Sequence, residues 1–281
     1  MKPLIHNAAG LLLTALLLAN VSLPALAAEA SAQATHEFKL TNGLKLIVRE
    51  DHRAPVVVQQ IWYKTGSMDE RTGVTGVAHV LEHMMFKGTR SVPMGEFSRR
   101  IAAAGGRENA FTSTDYTAYF QQLHKSKLPL AMQLESDRMR NLQLTDAEFG
   151  KEIRVVMEER RMRTDDDPHS LLIEKLMSTA YQEHPYHHPI IGWMSDLQTL
   201  SAGDARAWYQ RWYAPNNATL VVAGDVKASE VFALAQRYYG AIPARGMAAR
   251  KNFSEPEQQG VKRLVVKAPA ELPYLVMSYH A

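Results

Sequence analysis

His79 and His83 stand four residues apart, and Glu82 immediately precedes the second of them. On a helix, positions four apart differ by about 40° in azimuth, so both imidazoles can reach one ion. Glu82 flanks the same place and can take a proton from a metal-bound water without being a ligand. Zn²⁺ suits such a set: it takes nitrogen ligands, has no redox chemistry, and keeps a fourth position for water when three come from protein. Bound zinc brings the pKa of that water towards about 7 and polarises a carbonyl. A histidine pair at helical spacing is by itself a common surface coincidence. Here it interrupts an apolar run of Val77, Val80, Leu81, Met84 and Met85, where unpaired His and Glu are costly to bury.

The third ligand has to come from elsewhere, and the chain has no cysteine to offer. A long helix, capped by Thr145 and running to about Arg163, carries Glu152, Glu158 and Glu159. Positions 152 and 159 fall within about 20° of each other on one helical face. One of them can bind a metal while the other supports it; spacing alone does not say which. A second group, His184, His187 and His188, lies in a loop with two prolines. The adjacent pair points apart, so a polar surface loop is the better reading there.

These side chains need a scaffold, and the pattern predicts one of interleaved strands and helices. Phe38–Glu50 alternates around Asn42-Gly43 as a hairpin, and Pro55–Tyr63 reads as a buried strand. Gly73–Phe86 and Met94–Ala104 have helical spacing, and Asn109–Leu123 reads as a strand pair. Further helices are expected over Leu128–Met139, from Pro168, over Ala202–Trp212 and over Ala228–Tyr239, with a strand at Ala218–Ala223. The fold class is therefore α+β, a mixed or antiparallel sheet packed against helices. Ile242–Gly260 reads as a linker, making 38–241 one domain. Val261–Lys267 and Tyr274–Tyr279 read as strands opening a second, truncated domain.

The amino terminus has another purpose. Lys2, the apolar run Ala8–Ala19 and Ala25-Leu26-Ala27 make a secretory signal peptide over residues 1–27, followed by a flexible leader at 28–37. The apolar run is shorter than the roughly 20 residues a membrane span needs, so no span is expected after cleavage. Export without cysteines points to a bacterial periplasm. Composition is ordinary for a globular protein: 281 residues, 46% hydrophobic and 22% charged. The formal charge is only +3, and the basic run Arg160–Arg163 is followed at once by Asp165–Asp167, which argues against a nucleic-acid partner.

His79-x-x-Glu82-His83 followed by Met84-Met85-Phe86-Lys87-Gly88-Thr89 resembles the pitrilysin/insulinase family of zinc metallopeptidases, closest to its mitochondrial-processing-peptidase type and bacterial relatives. Glu152–Glu159, Gly105–Thr112, His184–Gly192 and Tyr213–Asp225 are similar as well, so the likeness spans nearly all of residues 38–281. The resemblance implies that Glu159 is the third zinc ligand and Glu152 a supporting glutamate. It implies that Glu82 is the general base, and that Asn109 and Ala110 lie on an edge strand holding peptide substrate as an added strand. The function implied is hydrolysis of peptide bonds in peptides or unfolded polypeptides, with one Zn²⁺ per chain. Members carry two similar halves. This chain matches the amino-terminal one, so a second chain, identical or related, is an expected partner. The alternative is a non-catalytic zinc- or peptide-binding subunit.

Overall fold

Side-chain alternation decides which face of each strand is buried. The structure is a computed structural model that describes residues 35–247, 249–250 and 252–279; the signal peptide read at 1–27 lies outside them. Its strands are β1 (Thr35–Lys39), β2 (Lys45–Glu50), β3 (Val56–Tyr63), β4 (Arg107–Thr112), β5 (Thr117–His124) and β6 (Ala218–Gly224). Along β3, Val57, Gln59, Ile61 and Tyr63 are buried, whereas Val58, Gln60 and Trp62 on the other face are only partly covered. The spatial order is β1-β2-β6-β3-β5-β4, with β2 and β6 parallel and every other pairing antiparallel. β4 thus forms one edge.

The helices are α1 (Val77–Met84), α2 (Glu96–Ala103), α3 (Leu128–Asn141), α4 (Asp146–Arg160), α5 (Pro168–Ala180), α6 (Met194–Leu197), α7 (Ala202–Trp212) and α8 (Ala228–Tyr239). Side-chain caps start α4, α5 and α7. Thr145 Oγ1 accepts from the Glu148 amide at 3.3 Å, and Asp167 Oδ2 from that of Ser170 at 2.8 Å. The sheet's buried face packs against α3 and α8, while α1 packs among α4, α7 and β4. The expected α+β class is what the chain adopts.

One polar network lies within this core. Arg138 donates to both carboxylate oxygens of Glu135, at 2.8 and 2.6 Å, and both residues are almost wholly buried. Gln121 also donates to Glu135, and Gln59 to Gln121, each at 2.9 Å. The guanidinium lies against the rings of Phe97, Tyr119 and Phe86, whose centroids are 4.3, 4.5 and 5.2 Å away. This network links α3 to the middle of the sheet.

Four local expectations need correction. β1 begins at Thr35, inside the stretch read as a leader, because residues 35–39 pair with 45–49. α1 begins at Val77 rather than Gly73, since carboxylates engage the preceding amides, as described below. α4 stops at Arg160 and widens into a π-helical turn, Arg161–Asp165. Neither Val261–Lys267 nor Tyr274–Tyr279 forms a strand. No neighbouring backbone pairs with them among the described residues, and Val261, Val265, Leu275 and Met277 are exposed.

The described residues between 242 and 260 have no regular structure, yet they are tied down at several points. Arg245 donates to the carbonyls of Tyr209 and Gln210, and Arg250 to Asp69 and to the Asp115 carbonyl. Glu255 accepts from the amides of Gln182, Glu183 and His184. Among the described residues no helix is long and apolar enough to cross a membrane.

Removing one partner of a buried ion pair strands the other. Arg138→Met is expected to lower unfolding stability by about 3–5 kcal/mol, and Arg138→Met with Glu135→Leu to recover only part of it, because Gln121 loses its acceptor. Denaturant unfolding of the two variants checks this.

Candidate metal centre

The helix that carries the histidines is fixed from its amino-terminal end. Glu70 is buried and accepts from the amides of Gly76 and Ala78, both at 2.8 Å. Burial pushes its carboxyl well above the usual range, against the pull of those two amides. Asp196 Oδ2 accepts from the amides of Gly73 and Thr75 at 3.2 and 3.1 Å and from the Thr75 hydroxyl at 2.6 Å. Gly76 has φ of 86°, and a Cβ there would lie 2.6 Å from the Ile191 carbonyl oxygen. Gly192, at φ 87°, abuts it so closely that its own Cβ would lie 2.7 Å from Gly76 Cα. Only glycine tolerates both the backbone angle and the approach.

The end of α4 is fixed by the same loop. Arg160 is buried, pairs with Glu174 at 2.7 and 3.0 Å, and donates to the Gly192 carbonyl at 2.9 Å. α1 and α4 are therefore locked against one another, and the side chains between them converge. One nitrogen each of His79 and His83 and one oxygen of Glu159 all lie within 4.8 Å of one another. Glu159 Oε2 is 3.3 Å from His83 Nε2 and 3.8 Å from His79 Nε2. That oxygen is buried and has no hydrogen-bond donor, while Oε1 is held by Arg163 at 2.7 Å. Burial, with lesser contributions from His83 and Arg163, takes the His79 pKa down to about 3, so its imidazole is neutral near pH 7.

Known proteins similar to this chain show its family. Residues 45–193 match the insulinase family, peptidase family M16, and residues 199–281 match the peptidase M16 inactive domain. The chain belongs to peptidase family M16. The zinc protease PqqE of Helicobacter pylori is 36% identical over 270 residues, which cover 93% of this chain and 61% of that protein. The crystal structure of a protease from Helicobacter pylori matches with a TM-score of 0.79 at 35% identity, over 81% of this chain and 56% of the other. The periplasmic protease PqqL from Escherichia coli matches with a TM-score of 0.73 at 28% identity, over 79% and 25%. The chain spans 46–61% of the length of three curated relatives it matches. The gap between the two family matches, residues 194–198, contains α6, yet β6, from the second match, sits in the middle of the sheet.

The donor set fits the zinc that the M16 family implies. It comprises two imidazole nitrogens, one of them on a ring held neutral, and a carboxylate oxygen with no donor facing it. Glu152 and Glu159, which spacing alone left as alternatives, are separated by their contacts: Glu159 faces both histidines. Glu152 Oε1 receives the Nδ1 side of His83 at 2.8 Å and Oε2 receives Lys87 Nζ at 2.5 Å. Glu158 is exposed and pairs with Arg161. Glu82 accepts a hydrogen bond from the Thr112 hydroxyl, and burial raises its carboxyl pKa while that bond acts in the opposite sense.

Asn109 and Ala110 lie on β4, the edge strand, opposite Phe120 and Tyr119 of β5. Asn109 Oδ1 accepts from the Ala110 amide at 2.9 Å. Thr112, on the same strand, links that edge to Glu82. His184, His187 and His188 do not assemble as a metal group among the described residues, and His184 Nδ1 accepts from the Tyr186 amide. Sequence reasoning missed Glu70, Asp196, Lys87, Thr112 and Arg163. Only Lys87 and Arg163 had a local signal, each four residues beyond a candidate ligand.

Titration of the metal-free protein with zinc is expected to saturate at one ion per chain. His79→Ala and Glu159→Gln should each weaken binding at least about 100-fold, since each removes one of three ligands. Chelator competition measures both.

Proposed function

We propose that this chain is the zinc-holding part of a metalloendopeptidase that cleaves peptide bonds in peptides or unfolded polypeptides. The observation that carries the reading is the convergence of His79, His83 and Glu159, with Glu82 on the same helix beside them. Zinc held by the first three would supply a Lewis acid that polarises a peptide carbonyl and acidifies water.

Glu82 does the proton work. Its buried carboxyl has a raised pKa, as a group that must both take and return a proton requires. With Oε2 held by Thr112, Oε1 takes the proton from the attacking water and delivers it to the leaving amine. Asn109 and Ala110, on the sheet's edge, hold substrate backbone as an added strand. The Asn109 amide must then give up its bond to the Ala110 N–H, which a substrate carbonyl takes over.

Full activity belongs to an assembly larger than residues 1–281. The curated relatives are longer, and a second half or a partner chain, identical or related, would complete the substrate's surroundings. Loss of one oxyanion donor costs other hydrolases about 10²–10³ in rate, so the isolated chain is expected to be slow. We also read the protein as exported to a bacterial periplasm, on the strength of residues 1–27.

Glu82→Gln should keep its zinc and lose about 10²–10⁴ in kcat/KM on an unstructured peptide. Zinc content and peptide cleavage, measured on variant and wild type, test this; unchanged cleavage refutes the role, and absent cleavage in both, even in the complete assembly, favours a zinc- or peptide-binding subunit. For export, amino-terminal sequencing of the mature protein should begin at Ala28. An intact Met1 on cytoplasmic protein would overturn that reading.

A further inference from the structure

Two carboxylates of α4 stand beside the histidines, and each has a cation of its own. Glu159 pairs with Arg163, whose side chain is 74% exposed, at 2.7 Å. Glu152 pairs with Lys87, whose side chain is only 22% exposed, at 2.5 Å. An exposed pair is worth little, whereas one shielded from water holds its members more firmly. The difference directs attention to Lys87, which follows α1 in a tight turn closed by its own amide to the Met84 carbonyl at 3.0 Å.

The contacts run in series. Lys87 Nζ holds Glu152 Oε2, Glu152 Oε1 faces His83 Nδ1 at 2.8 Å, and His83 Nε2 faces Glu159 Oε2 at 3.3 Å. An ionised carboxylate can only accept, so His83 carries its proton on Nδ1 and turns the Nε2 lone pair towards the ion's place. Glu152 can enforce this only while its own rotation is fixed. His83 engages one oxygen, and among the described residues Lys87 is the ion-pair partner of the other.

We propose that Lys87 is a positioning residue for the metal centre, anchoring Glu152 so that His83 presents Nε2 to zinc. The proposal rests on the zinc-site reading above.

The test is zinc affinity of the full chain by chelator competition, with far-UV circular dichroism and thermal unfolding of the metal-free forms as folding controls. Lys87→Met is expected to bind zinc about tenfold more weakly than wild type, and Lys87→Arg within about threefold of it. In a Glu152→Gln background, Lys87→Met should cause no further loss, because the residue acts through Glu152. Wild-type affinity in Lys87→Met, or the same loss with and without Glu152, overturns the proposal. Should Lys87→Met fail to fold, Lys87→Gln replaces it throughout, with a loss between those of Arg and Met expected. If wild type binds no zinc, or His79→Ala binds as wild type does, the zinc-site reading itself fails and this proposal with it.

Discussion

The centre depends on a carboxylate oxygen being held, without a donor, against two imidazoles. A buried acceptor left unpaired costs about 1–3 kcal/mol, so Glu159 Oε2 would turn to a better partner if the helices around it were free to shift. They are not. The segment at 191–196, a turn running into α6, engages both: Asp196 and Gly192 fix the approach to α1, and the Gly192 carbonyl receives Arg160 at the end of α4. The distance between ligand-bearing helices is thus set by a third segment that contributes no ligand.

That arrangement explains why the polar groups sit in such apolar company. α1 buries Val77, Ala78, Val80, Leu81 and Met84, and its remaining face carries His79, Glu82 and His83. A helix anchored by its core side cannot rotate to relieve the polar side. Thr112 then connects Glu82 to the sheet's open edge, so the strand proposed to receive a peptide and the carboxyl proposed to move a proton share one hydrogen bond.

Much of this was legible in the chain itself. The pair at 79 and 83 reads directly from helical spacing, and β4 reads from the alternation of residues 109–123. The choice between Glu152 and Glu159 was not legible from spacing, because both lie on one face of a helix and the histidines they meet lie on another. Resemblance selected Glu159, and the structure brings it to both imidazoles while leaving Glu158 paired with Arg161 at the surface. Glu70 and Asp196 escaped because they act on amides, which carry no side-chain signature, and Asp196 lies 121 residues from Thr75. The strands expected at 261–267 and 274–279 illustrate the converse: alternation creates a strand only where another backbone offers its hydrogen bonds.

The position of β6 has a consequence for how the chain reaches this state. It pairs with β2 on one side and β3 on the other, so residues 218–224 enter the sheet between segments made well before them. During synthesis the amino-terminal hairpin and the β3-β5-β4 sheet emerge first, yet they cannot join until β6 leaves the ribosome. Such non-local closure is slow. Until then each fragment keeps one unpaired strand flank, β2 in the first and β3 in the second, where a stray backbone can add.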